Sequence, residues 1–289
     1  MSTHRIVAES FQRRALDAVM RVDRIFLRRE LFVSLAALLM VTGAVFAQRA
    51  ARSAAAPRER TIVGETRSLG AGQARSWVRV GRDGKPTAVG VTFSEAALEG
   101  LPKEPPPGEE GIGVTFALPP QASATAFQHI WLNYNPHGHP PEKIYDVPHF
   151  DIHFYMISDA EREGITAEGE GLVKGNKQPA AEFIPEGYVY IPNSTIPRMG
   201  AHWVNPLTRE LQGQAFTNTF LFGSYDGRLV FAEPMIAKSF LETKTDVTEL
   251  IKLPKSYERR GAYYPTKYSV RYDAAAKEYT VALEGMTLR

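Results

Sequence analysis

The amino-acid sequence predicts a mainly β protein, with one antiparallel, barrel-like domain and a few short helices. Three observations carry this. From Thr61 onward apolar residues recur in short runs of period-two alternation, the runs are bounded by Gly, Pro and Asp-Gly, and helical patterning is confined to brief stretches. Several short strands with turns every ten or so residues build a barrel or a sandwich. The histidines, described below, favour the barrel-like form.

The N-terminal part, 1–47, is expected to be an export signal and not a fold element. Residues 31–47 (LFVSLAALLMVTGAVFA) run for seventeen positions without a charge, behind Arg21, Arg24, Arg28 and Arg29. Val45-Phe46-Ala47 offers a small-residue cleavage site. Left uncleaved, the segment would anchor the chain in a membrane, although such anchors usually reach about twenty apolar residues. Arg28-Arg29-Glu30-Leu31-Phe32 resembles the twin-arginine export pattern, and the same basic run suits a Sec signal; either route implies an extracytoplasmic protein, periplasmic or secreted. Residues 48–60 (QRAARSAAAPRER) are small, basic and Pro-containing, which predicts a flexible linker. The β domain is expected over 61–289.

Within that domain, residues 76–80 and 88–93 flank Arg82-Asp83-Gly84-Lys85, a hairpin signal. Residues 216–225 and 228–233 flank Asp226-Gly227 in the same way, and 267–272 faces 278–284 across 273–277. Helices are expected at 94–99, at 158–163 with Ser158 or Asp159 as N-cap, and at 236–241 and 247–250. Residues 101–110 (LPKEPPPGEE) read as a Pro-rich surface loop.

Charge narrows the partners. Residues 1–47 hold seven of the 34 basic and four of the 32 acidic side chains, which leaves 27 against 28 on the remainder. A nucleic-acid partner is therefore not expected, because phosphate binding needs concentrated basic surface. There is no cysteine, so an exported chain of this kind relies on an ordinary core, on bound metal or on assembly.

The chemistry lies in the histidines. Six of seven fall between 129 and 202, and four lie between His137 and His153 in NPHGHPPEKIYDVPHFDIHFYM. Read as a strand, 149–156 turns His149, Asp151, His153 and Tyr155 to one face and Phe150, Ile152, Phe154 and Met156 to the other. The apolar face must be buried, and enclosed imidazole and carboxylate groups then require partners. In a cysteine-free site, that partner is expected to be a divalent transition metal: Zn, Fe, Mn, Ni or Cu. On a straight strand i and i+2 lie about 6.6 Å apart and can converge, whereas i and i+4 lie about 13 Å apart. Asp151 with His153 is thus the natural pair, and His149 with His153 requires a bend; Asp151 could instead fix the tautomer of a ligand imidazole.

Downstream, MGAHW supplies His202, and LVFAEPM supplies Glu233 on a face it shares with Leu229 and Phe231, where an unpaired carboxylate would be costly. The expected metal set is His153, His202 and Glu233, with His149 or Asp151 as a fourth ligand, converging inside the barrel. His137 and His139, in a loop bracketed by prolines, are candidate catalytic groups together with Tyr155. His129 is expected to be a hydrogen-bonded core histidine, and a wholly metal-free reading of the cluster stands beside the metal one.

His137-x-His139 with Glu142 and a late histidine is similar to cupin metal motifs, which gives an architectural analogy to a cupin-like or jelly-roll-like barrel and no more. PHGHPP, PHFDIHFYMI, MGAHW and FGSYDGRLVFAEPMI together resemble an uncharacterised family of exported bacterial domains of unknown function. That resemblance implies that the four stretches serve one site and makes assembly as a homo-oligomer worth testing. Two functions follow: a metal-dependent enzyme acting on a small molecule, or a non-catalytic extracytoplasmic metal- or ligand-binding oligomer in which the metal is structural. Walker loops, dinucleotide fingerprints, nucleophile elbows and HExxH are absent from the sequence.

Overall fold

Alternation along the chain becomes two antiparallel sheets in the computed structural model, which describes residues 58–107 and 111–289. The expected export signal and the linker as far as residue 57 lie outside the described residues. In chain order the strands are β1 (Arg60–Leu69), β2 (Gly72–Val80), β3 (Pro86–Ser94), β4 (Ile112–Ala117), β5 (His129–Asn135), β6 (His149–Tyr155), β7 (Val189–Tyr190), β8 (Ala201–Val204), β9 (Asn218–Tyr225) and β10 (Arg228–Ala237). They continue with β11 (Val247–Leu250), β12 (Tyr263–Tyr264), β13 (Lys267–Asp273), β14 (Glu278–Glu284) and β15 (Thr287–Leu288). Short α-helices are α1 (Asp159–Glu163), α2 (Glu170–Gly175) and α3 (Lys238–Glu242). None of the helices among the described residues is long and apolar enough to cross a membrane.

A six-stranded sheet runs β1-β2-β3-β14-β13-β11, a seven-stranded sheet runs β4-β5-β6-β10-β9-β8-β7, and β12 pairs with β15. Neither large sheet closes on itself, so the barrel-like expectation resolves into two open sheets packed face to face. Phe150, Ile152 and Phe154 of β6 join Ile130 and Leu132 of β5, Val91 and Phe93 of β3, and Val281 and Leu283 of β14 in one core. The rings of Phe93 and Phe150 meet across the layers with centroids 5.8 Å apart. Burying each such side chain contributes about 1.5–3 kcal/mol, and a one-residue slip of β6 would drive its histidines into this core instead.

All three expected hairpins form. β2 pairs with β3, β13 with β14, and β9 with β10 across Asp226-Gly227, whose positive φ values of 51° and 76° suit a primed turn. At α1 the side chain of Ser158 accepts from the Glu161 backbone while Glu161 reaches back, a complete capping box. The helix expected at 247–250 is corrected to strand β11. Its four residues pair with the free edge of β13, and that pairing overrides a weak local preference. The helix expected at 236–241 starts later, because Ile236 and Ala237 extend β10.

The site-bearing face of the seven-stranded sheet is its outer one, not an enclosed barrel interior. Every residue of β6 is nevertheless buried. Two smaller apolar clusters cover this face: Ile157, Ile165 and Met199 pack with Trp131, Tyr155 and Phe231, while Tyr145 and Phe216 pack with Leu221 and Met235. The polar side chains lie between these covers.

Candidate metal centre

Strand pairing sets the side chains of the site in rows. Opposite β6, strand β5 places Asn135 against His149, Asn133 against Asp151, Trp131 against His153 and His129 against Tyr155. On the other side β10 pairs Phe231 with Tyr155 and Met235 with Asp151, a constant register that brings Glu233 beside His153. Next across the sheet, Gly223 of β9 separates Phe231 from His202 of β8. A bulge between Leu229 and Phe231 breaks the alternation of β10. The expectation that Leu229 shares a face with Glu233 is thereby corrected, since Leu229 packs against the inter-sheet core.

Six residues form two triads, His153–His202–Glu233 and His139–His149–Asp151, in each of which the donor atoms lie within 4.8 Å of one another. Nε2 of His153 is 3.3 Å from Oε1 of Glu233, and Nε2 of His202 is 3.9 Å from Oε2. In the second triad Nε2 of His149 is 3.2 Å from Oδ1 of Asp151, and Nε2 of His139 is 3.3 Å from Oδ2. Ligands 2.0–2.2 Å from one ion stand about 3.0–3.4 Å apart, whereas a charged N–H···O bond closes to about 2.7–2.9 Å. Three of the four separations, 3.2–3.3 Å, fall in the range of ligands around a common point, and the fourth, 3.9 Å at His202, is longer than either.

Tautomers point the same way. Nδ1 of His149 donates to the Val147 carbonyl (2.7 Å), Nδ1 of His139 to that of Pro140 (2.8 Å) and Nδ1 of His202 lies 3.3 Å from that of Ser194. A carbonyl only accepts, so Nδ1 carries a proton and the Nε2 edge of each ring faces a carboxylate; this orientation is the one that metal-ligating histidines adopt. Two acceptors facing each other demand a cation between them, either a proton or a metal ion. His153 Nε2, Asp151 Oδ1 and Glu233 Oε2 are buried and lack a hydrogen-bond partner. Such an orphan costs about 1–3 kcal/mol when nothing occupies the gap.

In the first triad burial keeps the imidazoles neutral, the form in which they bind metal. Burial pushes His153 down to about 3 and His202 down to about 4. Burial, assisted by the charge of Asp151, raises Glu233 well above the usual carboxylate range. For Asp151 burial acts upward too, but the imidazoles of His149 and His139 outweigh it and hold the carboxyl well below that range. The donor set fits a divalent transition ion in both triads: two imidazoles and one carboxylate, with three protein ligands and room for others.

The expected single cluster is thus split in two. His149 does not complete the His153 set, because i and i+4 stay apart on a straight strand; it joins His139 instead. Gly138, at φ +71°, lets the loop turn His139 inward, and a Cβ there would stand 2.0 Å from the Tyr145 carbonyl oxygen. His137 points outward with its side chain 63% exposed and 2.9 Å from Glu104. The Tyr155 hydroxyl donates to the Arg198 carbonyl (2.9 Å), and burial raises its pKa. His129 is buried and stacked on Tyr155, 3.7 Å from Asp159, without the hydrogen bond expected of it.

Sequence reasoning passed over Asn135, whose Nδ2 donates to Oδ2 of Asp151 at 2.6 Å, and Arg162, buried over the Trp131 and Tyr155 rings. Alternation in HIWLNYN does place Asn135, Asn133, Trp131 and His129 on one face, and that signal could have found the asparagines. A separate cavity of about 390 Å³, lined by Phe127, Phe183, Phe220, Phe222, Leu253 and Tyr257, opens on the inner side of the same sheet, away from both triads.

Residues 81–134, from the β2–β3 turn through most of β5, match a family model described as "TTHB210-like: Hypothetical protein TTHB210". The matched segment contains none of the six triad residues. No curated protein and no solved structure matches the chain. Over that segment the chain is similar to a family of hypothetical proteins, in keeping with a domain of unknown function.

Proposed function

We propose that this is an exported metal-binding protein that holds a divalent transition ion on His153, His202 and Glu233 and acts on a small molecule. One observation carries the reading: two buried imidazoles turn Nε2 toward a buried carboxyl group, and His153 Nε2 and Glu233 Oε2 there have no hydrogen-bond partner. Bound there, the ion would lower the pKa of a water or polarise a substrate oxygen. The protein's own part is to hold the ligands rigidly and dry, and to leave the His202 side, 13% exposed, as the way in. His137 and Tyr155 receive no proton-transfer role in this reading, the one being exposed and paired with Glu104 and the other locked to a carbonyl.

Near-complete burial of His153 and Glu233 favours a second reading, a structural ion in a non-catalytic extracytoplasmic protein that binds metal or ligand as a homo-oligomer. Elemental analysis of purified protein tests the first step, with a bound transition ion expected in the wild type and loss of an ion in His153→Ala. Cobalt substitution separates the readings. An open site changes its visible spectrum when azide is added, and a closed four-ligand shell does not. Metal-free wild-type protein under non-chelating conditions would sink both.

Export and assembly are proposals of their own. Substituting Lys-Lys for Arg28-Arg29 should stop export by the twin-arginine route, and undiminished export would assign the signal to Sec. Light scattering of the purified protein should show a mass above the chain's 32.1 kDa if the homo-oligomer forms.

A further inference from the structure

We infer that His139, His149 and Asp151 form a second divalent-cation site, so that strand β6 carries two ions side by side in one two-metal centre. The second site stands on its own geometry; the pairing rests on the reading of the first triad given above. Asp151 is 2% exposed, and its Oδ1, 3.2 Å from Nε2 of His149, lacks a hydrogen-bond partner. Its other oxygen is already held by Asn135 and approached by Nε2 of His139. Nδ1 of His149 and Nδ1 of His139 donate to the Val147 and Pro140 carbonyls, which turns the Nε2 edge of both rings toward this carboxylate. The ring centroids of His139 and His149 lie 4.7 Å apart, edge to face, and one donor atom from each ring and from Asp151 lie within 4.8 Å of one another.

Adjacency follows from the strand. Asp151 and His153 are neighbours at i and i+2 on one face, with backbones about 6.6 Å apart. Residues so placed are close enough to hold ions at the roughly 3.5–4 Å spacing of two-metal sites. The partly exposed members are one from each triad, His139 at 23% and His202 at 13%, and the charge of His139 reaches His202. Two divalent ions against two carboxylates leave a net positive centre in a dry setting. The occupant that such a centre takes is a small oxyanion, phosphate or carboxylate in type, bridging the ions.

Equilibrium dialysis of the full chain against Zn²⁺ tests the inference. Two ions per wild-type chain are expected, one in His139→Ala, one in His202→Ala, and none in the double variant. One ion per wild-type chain, unaffected by His139→Ala, would overturn the second site and leave the first intact; none would overturn both. His139 lies in a loop and is partly exposed, and circular dichroism of each variant is the check that it has folded. Paramagnetic resonance of the Mn²⁺-loaded wild type should show exchange coupling that vanishes in either single variant; two uncoupled signals would refute a shared centre. Inorganic phosphate should perturb the coupled spectrum, and an unchanged spectrum would remove the oxyanion assignment.

Discussion

Glu233 is where the metal-free and metal-bound states differ most. Burial and the nearby Asp151 charge favour its protonated carboxyl when no ion is present, while a metal needs it ionised. Glu233→Gln copies the protonated form in size and polarity. In EDTA the variant should therefore match the wild type within about 1 kcal/mol by urea melts, while zinc binding at that triad is lost. Strong destabilisation in EDTA would mean that the carboxylate is ionised without metal. The neighbouring histidines set the pH response. His129, His153 and His202 are lowered to about 4, 3 and 4, so between these values and 6.5 the unfolded chain binds more protons. Their stabilisation is complete above 6.5 and drains away as the pH falls. Glu233 works in the opposite sense, its raised pKa contributing stability at low pH that is lost as pH rises. Three groups against one give a net slope of at most about 3 kcal/mol per pH unit, favouring higher pH. Chelated protein should thus have a lower urea midpoint at pH 5 than at pH 7; an equal or higher midpoint would contradict the buried, neutral imidazoles.

Strands transmit small changes to the site through packing. Gly223 of β9 sits between His202 and Phe231, and a Cβ there would lie 2.0 Å from the Phe231 ring. That ring meets His153 and His202 edge-on at 4.8 and 5.5 Å. Gly223→Ala should cost about 1–3 kcal/mol by overpacking and weaken zinc affinity at the first triad, as calorimetry would show. Unchanged affinity would mean that Phe231 does not position the imidazoles. At α1, Ser158→Ala removes the cap and should cost about 1 kcal/mol. Much of the element-scale architecture was legible: β6 because two-residue alternation separates imidazoles from phenylalanines, and Glu233 because a lone carboxylate interrupts an apolar run. The bulge of β10 was not, since LVFA carries no Gly or Pro to mark it. Nor was the inward turn of His139 over His137, which depends on the loop closing onto Tyr145.

For the whole molecule, the inter-sheet core lies on the opposite side of β6 from both triads, so apolar burial and metal binding are separable. The domain should stay folded in EDTA, with unchanged far-UV circular dichroism, unlike a small zinc-dependent fold. Zinc should then raise its stability by about 2.7 kcal/mol per site at a hundredfold excess over Kd. Unfolding by EDTA would favour the structural ion.

The sequence by itself determined the strand content, the hairpins and which face of 149–155 is polar, because alternation and turn chemistry are short-range properties. Only the tertiary structure decided that the sheets stay open, that the site lies on an outer face under loops, and that the histidines divide into two sets. Those outcomes depend on the register of β6 against β5 and β10 and on loops packing from afar, where contact between residues distant in the chain, and not local preference, sets the geometry.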